Sequence, residues 1–352
     1  MHTLLLLLTI SRVARPAKAL VARNALPPQF TVTPIGPQTS NFGSISRDGG
    51  GGGSINGKNI LLFCDTISSS NFSSNTATYA DALNPAFQTD FGENGNPWQA
   101  IGYTDLEQAF TNANFATNQT RTVLWPASAI APLPNNQGMF FSNVAQYNAA
   151  GTSKGNLYNT LITVTANDDG PSFNRTLEQA FSADDTLWGS LGSTASYIHG
   201  IVALASDEAG VKVAKVDPAT YSDLSTYRFW NGSEWTSQAP AMNDTASAII
   251  PNLNPTSADL IWSDLYNTWL LIYMSPINGF YLRYALNGAF GLTGPWSDEI
   301  LVYDTTTQTP ATGATYNYAG HAYTMFDSTG SSLVLSWSHG EFDENMAKVQ
   351  FS

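Results

Sequence analysis

Short apolar segments separated by polar turns run along most of the chain, and long helical periodicity is scarce. The segments are rich in Val, Ile, Leu, Tyr, Phe and Trp, and Gly, Asn, Asp and Ser lie between them, which is typical of short β-strands. The better helix candidates are short, such as residues 103–114. The pattern therefore predicts an all-β fold, either a sandwich, a barrel or a propeller.

Five strand–turn–strand units recur along the chain at spacings of roughly 60 to 80 residues, and such internal repetition favours a repeat architecture. The paired segments are 44–50 with 60–66, 128–133 with 138–147, 196–205 with 210–216, 258–262 with 269–275, and 320–326 with 333–338. In the fourth unit, third and fourth strands follow at 280–286 and 299–304. Four antiparallel strands per unit predict a five-bladed β-propeller. A strand at 30–33 is expected to pair with 348–351 and close the ring, and a two-sheet sandwich is the alternative.

The N-terminal 26 residues are expected to be a signal or targeting segment, with a single propeller domain at 27–352. Residues 4–10 are an apolar run too short to span a bilayer, and Ala17-Lys18-Ala19 is a possible cleavage site. Because the basic residues follow the apolar run, an organelle transit peptide is the alternative. Five N-glycosylation sequons favour secretion; they begin at Asn71, Asn118, Asn174, Asn231 and Asn243.

The composition limits the partners of the chain. Charged residues make up only 12% and the net charge is −13, so nucleic acid and anionic membranes are disfavoured and a neutral polysaccharide or oligosaccharide is the expected partner. The single cysteine, Cys64, allows neither an internal disulfide nor a Cys-based zinc site. No cofactor and no metal are expected, and the protein is expected to be a monomer.

A glycine run occupies the first predicted hairpin, in the stretch "RDGGGGGSINGK" at 47–58. Gly52 to Lys58 matches G-x-x-x-x-G-K, but Asn59 and a strand follow in place of Ser or Thr and a helix, so a phosphate loop is excluded. Asn56-Gly57 predicts a type I′ turn, which places the glycines inside the hairpin and not in a linker. Glycine there allows close backbone approach beside a ligand.

Two aspartates flank this hairpin. Asp48 lies near the start of its first strand and Asp65 near the end of its second, so antiparallel pairing brings both to one rim. Two nearby carboxylates raise the pKa of one of them, and this combination suits acid/base cleavage of a glycosidic bond. The alternative is a local Arg47–Asp48 ion pair and a strand-end turn at Asp65-Thr66.

These residues also carry a family resemblance. "RDGG" followed by "FCDT" resembles the Arg-Asp-Gly-Gly and Phe-Gly-Asp-Thr motifs of a family long described as a domain of unknown function, which includes microbial endo-D-arabinanases. Residues 211–235 and 261–275 are similar to further segments of that family. The resemblance implies a five-bladed propeller glycosidase that uses Asp48 and Asp65. Cys64 stands where the family usually has Gly and is interpreted as a packing residue.

Further candidates for substrate binding come from aligning the blades. The positions equivalent to Asp48 are near Ser128, His199, Asp259 and His321, and they are expected to ring the same pocket. Trp125 is a candidate stacking platform for a sugar, and Arg47 accompanies Asp48 in the motif.

The leading hypothesis is a secreted glycoside hydrolase that acts on a polysaccharide, with arabinan or another furanoside as the candidate substrate. A non-catalytic, lectin-like propeller that binds glycans is the main alternative. A polysaccharide lyase is a third possibility, but it needs positive charge to neutralise a uronate, and this acidic chain has few candidates.

Overall fold

The computed structural model describes residues 24–69, 71–148, 155–275, 279–307, 316–340 and 342–352. The predicted signal or targeting segment at 1–26 lies outside the described residues except for its last three positions. Five antiparallel sheets form a ring in which each innermost strand contacts the next, so the prediction of a five-bladed β-propeller is confirmed. Among the described helices, none is long and apolar enough to cross a membrane.

The strands are distributed over the blades in chain order. The first strand, β1 (Phe30–Pro37), belongs to the fifth blade. The first blade and its edge contain β2 (Thr39–Ser40), β3 (Ser46–Ile55), β4 (Lys58–Ser68), β5 (Asn71–Ser73), β6 (Thr76–Ala80) and β7 (Phe87–Asp90), followed by a ribbon of β8 (Gly92–Glu93) and β9 (Asn96–Pro97). The second blade follows helix α1 (Asp105–Asn118) and contains β10 (Arg121–Trp125), β11 (Ala131–Leu133), β12 (Gln137–Tyr147), β13 (Gly155–Asn167) and β14 (Gly170–Ser182).

The remaining three blades follow the same inner-to-outer order. The third contains β15 (Gly192–Ser196), β16 (Gly200–Asp207), β17 (Gly210–Val216), β18 (Arg228–Trp230), β19 (Trp235–Thr236) and β20 (Ile250–Pro251), with 3₁₀ helices at Leu224–Thr226 and Thr245–Ser247. The fourth contains β21 (Ser257–Ser263), β22 (Thr268–Ser275), β23 (Gly279–Tyr284) and β24 (Ile300–Asp304), with 3₁₀ helices at Gly288–Thr293 and Thr305–Thr307. The fifth contains β25 (Asn317–Tyr323), β26 (Ser332–His339) and β27 (Asp343–Phe351), with β1 outermost.

The N-terminal strand closes the ring as the sequence predicts. Strand β1 pairs antiparallel with β27, and the register runs from Phe30 opposite Phe351 to Pro37 opposite Asn345. The rings of Phe30 and Phe351 pack edge to face with centroids 6.3 Å apart. The last blade is thus completed by the first described strand, which joins the two ends of the domain.

Helix α1 confirms the short helix expected at 103–114, with its bounds shifted to Asp105–Asn118. A capping box fixes its start, because the Thr104 hydroxyl accepts from the Glu107 backbone N–H and the Glu107 carboxylate accepts from the Thr104 N–H. The same carboxylate pairs with Arg175 at 2.7 Å. The helix is therefore anchored to β14, the outer strand of the second blade.

The glycine run lies on β3 at the centre of the ring, where no side chain fits. A Cβ on Gly51 would lie 1.9 Å from the Ser128 carbonyl oxygen, and one on Gly50 would lie 2.9 Å from the Pro126 oxygen. The Gly51 N–H donates to Pro126 O, and the Ile130 N–H donates to Gly52 O, both at 2.9 Å. The glycines therefore let the inner strands of the first two blades touch backbone to backbone.

One predicted unit has a different register from the one expected. The segment 196–205 was expected to be the first strand of the third hairpin, but residues 197–199 form a turn between β15 and β16. The innermost strand of this blade is β15, and its neighbour β16 pairs with β17. The apolar run 201–205 belongs to a fully buried second strand, so its hydrophobicity does not mark the inner position.

Each pair of adjacent blades encloses its own hydrophobic cluster. The cluster between the fifth and first blades is the smallest and contains Leu61, Phe63, Ala80, Tyr323, Val334 and Met346. Buried polar groups occupy the rest of this interface, including Arg47, Asp90 and Glu344. The candidate site lies at the upper end of this polar interface. We call the rim where the inner strands begin the upper face, and the rim where they end the lower face.

Candidate functional site

Two compensating bulges shape the hairpin that carries the aspartates. Arg47 pairs with Thr66 and Gly49 pairs with Phe63, so Asp48 alone faces both Cys64 and Asp65. Further along, Gly50 and Gly51 together face Leu62 of β4. The original register returns where Gly52 pairs with Leu61. Bulges re-aim side chains and are frequent beside active sites. Here they place Asp48 and Asp65 on adjacent strands at the upper face.

Asp65 is the more buried of the two aspartates, with 5% of its surface exposed. Its Oδ1 accepts from the Trp125 indole N–H at 2.9 Å, and its Oδ2 lies 3.6 Å from Arg121 Nη2. Burial raises the pKa of Asp65, and the Trp125 hydrogen bond and the Arg121 charge offset only part of this rise. The carboxyl can therefore hold a proton at a higher pH than an exposed aspartate does.

Asp48 is half-buried and accepts a hydrogen bond from the Tyr318 hydroxyl, which reaches it from β25 of the fifth blade. Burial and the Asp48 charge raise the pKa of Tyr318, so its hydroxyl stays protonated and remains a donor. This donor stabilises the ionised form of the carboxylate. The two aspartates thus have different surroundings: Asp65 is buried beside Trp125 and Arg121, whereas Asp48 is half-buried and bonded to a tyrosine hydroxyl.

A third carboxylate, Glu344, lies directly behind Asp48 and was not predicted from the sequence. It is 4% exposed and accepts hydrogen bonds from the hydroxyls of Ser336, at 2.7 Å, and Ser338. The Gly49 N–H donates to the Ser338 hydroxyl at 3.0 Å, and a Cβ on Gly49 would lie 3.1 Å from Glu344 Oε1. Burial raises the pKa of Glu344 to about 7. Glu344 therefore fixes the backbone next to Asp48 through Ser338.

Cys64 lies among these three carboxylates. Its thiol is buried, and burial together with the negative charges of Asp48, Asp65 and Glu344 raises its pKa. A protonated thiol is a poor nucleophile. The environment of Cys64 thus supports its interpretation as a packing residue.

Arg47 points into the protein interior. Its guanidinium is buried, lies 2.9 Å from Asp90 and packs over the ring of Phe63 with 4.3 Å to the centroid. This ion pair joins β3 to β7 within the first blade. Arg47 is thus placed to support the hairpin, and its buried guanidinium is not presented to a ligand at the upper face.

Three of the residues aligned with Asp48 are buried near the propeller axis: Asp259 and His321 on inner strands, and Ser128 in the segment before β11. Asp259 Oδ2 accepts from the Ala322 N–H at 2.8 Å and lies 3.2 Å from His321 Nδ1. Ser128 and the Ser193 hydroxyl are 2.8 Å apart, and Ser128 has no exposed surface. These contacts join neighbouring blades around the axis.

His199 is not in the predicted ring, because the third unit was aligned on the wrong strand. It lies in the turn after β15, at the lower face, where its Nε2–H donates to the Ala289 carbonyl at 3.2 Å. Burial lowers the pKa of His199, so the neutral form is favoured. The expectation that His199 lies with Asp48 is wrong.

Aromatic and cationic side chains surround the two aspartates. Trp125 is half-buried and packs edge to face on Tyr147 at 5.7 Å, while Tyr316 is 42% exposed beside Tyr318 at 5.7 Å. The Arg121 guanidinium lies 3.6 Å from the centroid of Phe72. Rings at the upper face can pack against the C–H face of a sugar, and the polar groups beside them can bond its hydroxyls.

The sequence reasoning missed Arg121, Tyr318 and Glu344. The expected fifth unit begins at Gly320, so it did not include Tyr318, which lies two residues earlier in "YNY" at 316–318. Arg121 opens β10, which was not predicted, and Glu344 follows a turn with no motif. Among the described residues, no group of three or more His, Cys, Asp or Glu side chains is arranged to hold a metal ion.

Comparison with known proteins supports the fold assignment. No protein-family model matches the chain, and no curated protein matches it in sequence. A presumed hydrolase from Bacteroides ovatus is similar in structure, with 12% identity, a TM-score of 0.61, and coverage of 89% of this chain and 86% of its own. A glycosyl hydrolase from the same organism has 10% identity, a TM-score of 0.47 and coverage of 87% and 84%.

The catalytic domain of the Coprinopsis cinerea GH62 α-L-arabinofuranosidase has 11% identity, a TM-score of 0.41, and coverage of 92% of this chain and 96% of its own. At such low identities, structural likeness shows fold and does not carry function. The comparison therefore establishes that this propeller shares its fold with the presumed hydrolase.

Proposed function

We propose that the protein is a secreted glycoside hydrolase that cleaves glycosidic bonds in a neutral polysaccharide with Asp48 and Asp65. The arrangement of these two carboxylates carries the proposal, because one bulged hairpin brings them together at the upper face in contrasting surroundings. The presumed hydrolase with the same fold is consistent with a hydrolytic site. Paired carboxylates with separated pKa values are the usual machinery of glycosidases.

The surroundings suggest a division of roles. Asp65, whose pKa is raised by burial, is the candidate acid that protonates the leaving oxygen. Asp48, which accepts from Tyr318, is the candidate base or nucleophile at the anomeric carbon. Trp125 and Arg121 hold the Asp65 carboxyl in place through one hydrogen bond and one ion pair.

Charge and surface chemistry favour a neutral, extracellular substrate. The net charge of −13 repels uronates and phosphates, whereas a neutral sugar pays no such cost. The motifs around Asp48 and Asp65 favour an arabinofuranosyl polymer as the substrate. Four of the five sequon asparagines are exposed and the fifth, Asn231, is half-buried, which is compatible with glycosylation in a secretory pathway.

A glycan-binding propeller without catalysis is the second candidate. It is favoured by the low exposure of Asp65 and its ion pair with Arg121, because a buried, paired carboxylate can be structural. Asp48 lies at the same face and is only half-buried, so a structural role explains Asp65 but does not explain Asp48. This contrast favours hydrolysis.

Incubation with a panel of arabinan, inulin and xylan tests the proposal. We expect new reducing ends from at least one polymer, detected by colorimetric assay and chromatography of the released sugars. The double variant Asp48→Asn/Asp65→Asn should release none while keeping the far-UV circular dichroism of the wild type. Binding without release by the wild-type protein would favour the glycan-binding candidate, and release by the double variant would exclude this pair as the catalytic groups.

A further inference from the structure

A cavity lies on the propeller axis below the candidate site. Its volume is ≈ 330 Å³, and it is lined by residues of the innermost strands of all five blades, together with Leu270, Leu333 and Phe351 of the neighbouring strands in the fourth and fifth blades. Above the cavity, the Tyr323 hydroxyl donates to the Gly50 carbonyl at 2.7 Å and Gly51 packs on the Ser128 backbone, so the first blade is joined closely to the fifth and to the second. At the other end the exposed residues Ser54 and Thr324 line an opening on the lower face.

The cavity presents hydrogen-bond acceptors and hydroxyls. Asp259 lines it and is 4% exposed. Both hydrogen bonds to its carboxylate, from the Ala322 N–H and from His321, go to Oδ2, and within the described part of the chain Oδ1 accepts none. Ser193, Thr194 and Ser263 add hydroxyl groups around it. A buried carboxylate oxygen facing a cavity is a strong acceptor for a ligand hydroxyl.

Aromatic rings continue outward from this cavity beneath the lower face. Trp262 lines the cavity and packs on Trp269 at 5.4 Å, and Trp269 packs against His199 at 6.0 Å. The Ala289 carbonyl accepts from both the Trp269 indole N–H, at 3.3 Å, and His199 Nε2–H, at 3.2 Å. The turn of the third blade and the 3₁₀ helix Gly288–Thr293 of the fourth are therefore held side by side.

These two segments expose large apolar side chains at that junction. Tyr197 is 99% exposed, Phe290 is 80% exposed and Ile198 is 52% exposed, and Leu286, just before the 3₁₀ helix, is also 52% exposed. We call Tyr197, Ile198, Trp262 and Phe290 the lower aromatic patch. Contiguous exposed apolar groups on a soluble protein mark interaction sites.

The chemistry of the patch and the cavity selects one class of occupant. Flat rings beside hydroxyls and a carboxylate oxygen match the apolar C–H faces and hydroxyl donors of a neutral sugar chain. Anionic polymers are disfavoured by Asp259 and by the net charge of −13. We propose that the lower face is a second glycan-binding site, in which the patch stacks the sugars of a neutral polysaccharide and the axial cavity receives one sugar unit. This second site lies at the face opposite Asp48 and Asp65. It binds the polysaccharide whether or not the protein cleaves it.

Affinity electrophoresis through gels that contain arabinan, inulin or xylan tests the inference. The Asp48→Asn/Asp65→Asn protein serves as the background, so that no polymer is consumed. Adding Tyr197→Ala and Phe290→Ala should weaken retention about tenfold or more, which corresponds to about 1.4 kcal/mol. Leu106→Ala is the matched control, because Leu106 is 84% exposed on α1 and should leave retention unchanged. All three substituted side chains are exposed, so the fold should be preserved.

The outcomes separate this inference from the proposed function. Retention that is lost with the patch supports the second site even if the wild-type protein cleaves none of the three polymers. Cleavage by the wild type with equal retention of patch variant and control overturns the second site and leaves the hydrolase proposal intact. Absence of retention on all three polymers, or a dimer in size-exclusion chromatography that the patch variant abolishes, also overturns it.

Discussion

Replacing Gly51 with Ala perturbs the closest contact between two blades. The added Cβ would lie 1.9 Å from the Ser128 carbonyl oxygen, where ordinary contacts begin near 3.4 Å, so the two inner strands must separate by about 1.5 Å. Overpacking of this kind costs roughly 1–3 kcal/mol. The flanking bonds from Gly51 N–H to Pro126 and from Ile130 N–H to Gly52 weaken as well, at about 1 kcal/mol each. We expect a total loss of roughly 3–5 kcal/mol.

Thermal unfolding measures this loss. With an unfolding entropy of about 2.1 cal/mol/K per residue, a domain of roughly 330 residues should lose about 4–7 °C in Tm. Gly102→Ala is the matched control, since no atom lies within 4 Å of its added Cβ. A Gly51→Ala protein that melts within 1 °C of the Gly102→Ala protein would refute the conclusion that the glycine run exists for close blade packing.

Three further predictions follow from buried groups. Glu344 has a folded pKa of about 7, above its ordinary value of 4.5, so the folded state binds more protons in that range and wild-type stability should fall as pH rises through it. Glutamine does not titrate, so the free energy of unfolding of Glu344→Gln should fall less than that of the wild type between pH 5 and pH 8, by up to about 3 kcal/mol. Urea unfolding at the two pH values measures this difference. Trp125→Phe removes the donor to Asp65, so the pKa of Asp65 should rise further and, because Asp65 must be protonated to act as the acid, the alkaline limb of the pH–rate profile should move to higher pH. Phe351→Ala should cost roughly 3–5 kcal/mol in urea unfolding, because its ring packs on Phe30 where the propeller closes, and an unchanged midpoint would contradict this closure.

The architecture could be predicted because its determinants are local. Each blade begins with a hairpin whose turn and strand residues are contiguous, as in Asn56-Gly57, where both residues have positive φ of 51° and 76°. The closing pair of strands was predicted because both ends of the domain are apolar and alternate with polar residues. In the third blade, by contrast, the most apolar segment is the second strand, buried on both faces, and this displaced the expected position of His199.

The candidate site could be predicted only in part, because part of it depends on contacts between distant blades. Asp48 and Asp65 share one hairpin, so spacing alone brings them to one rim. Tyr318 and Glu344 reach the same place from the fifth blade, 270 residues away in the case of Tyr318. Ring closure determines which residues of the fifth blade meet the first, and no local pattern encodes that register.

The most direct measurement is kcat/KM for the single variants Asp48→Asn and Asp65→Asn on whichever polymer the wild-type protein cleaves. Each should fall by about a hundredfold or more, the usual size of a lost acid or base. Asp168→Asn should retain full activity, because Asp168 is an exposed carboxylate paired with Lys58 at the far end of the first hairpin. Wild-type rates in either active-site variant would contradict the assignment of that aspartate to the chemistry.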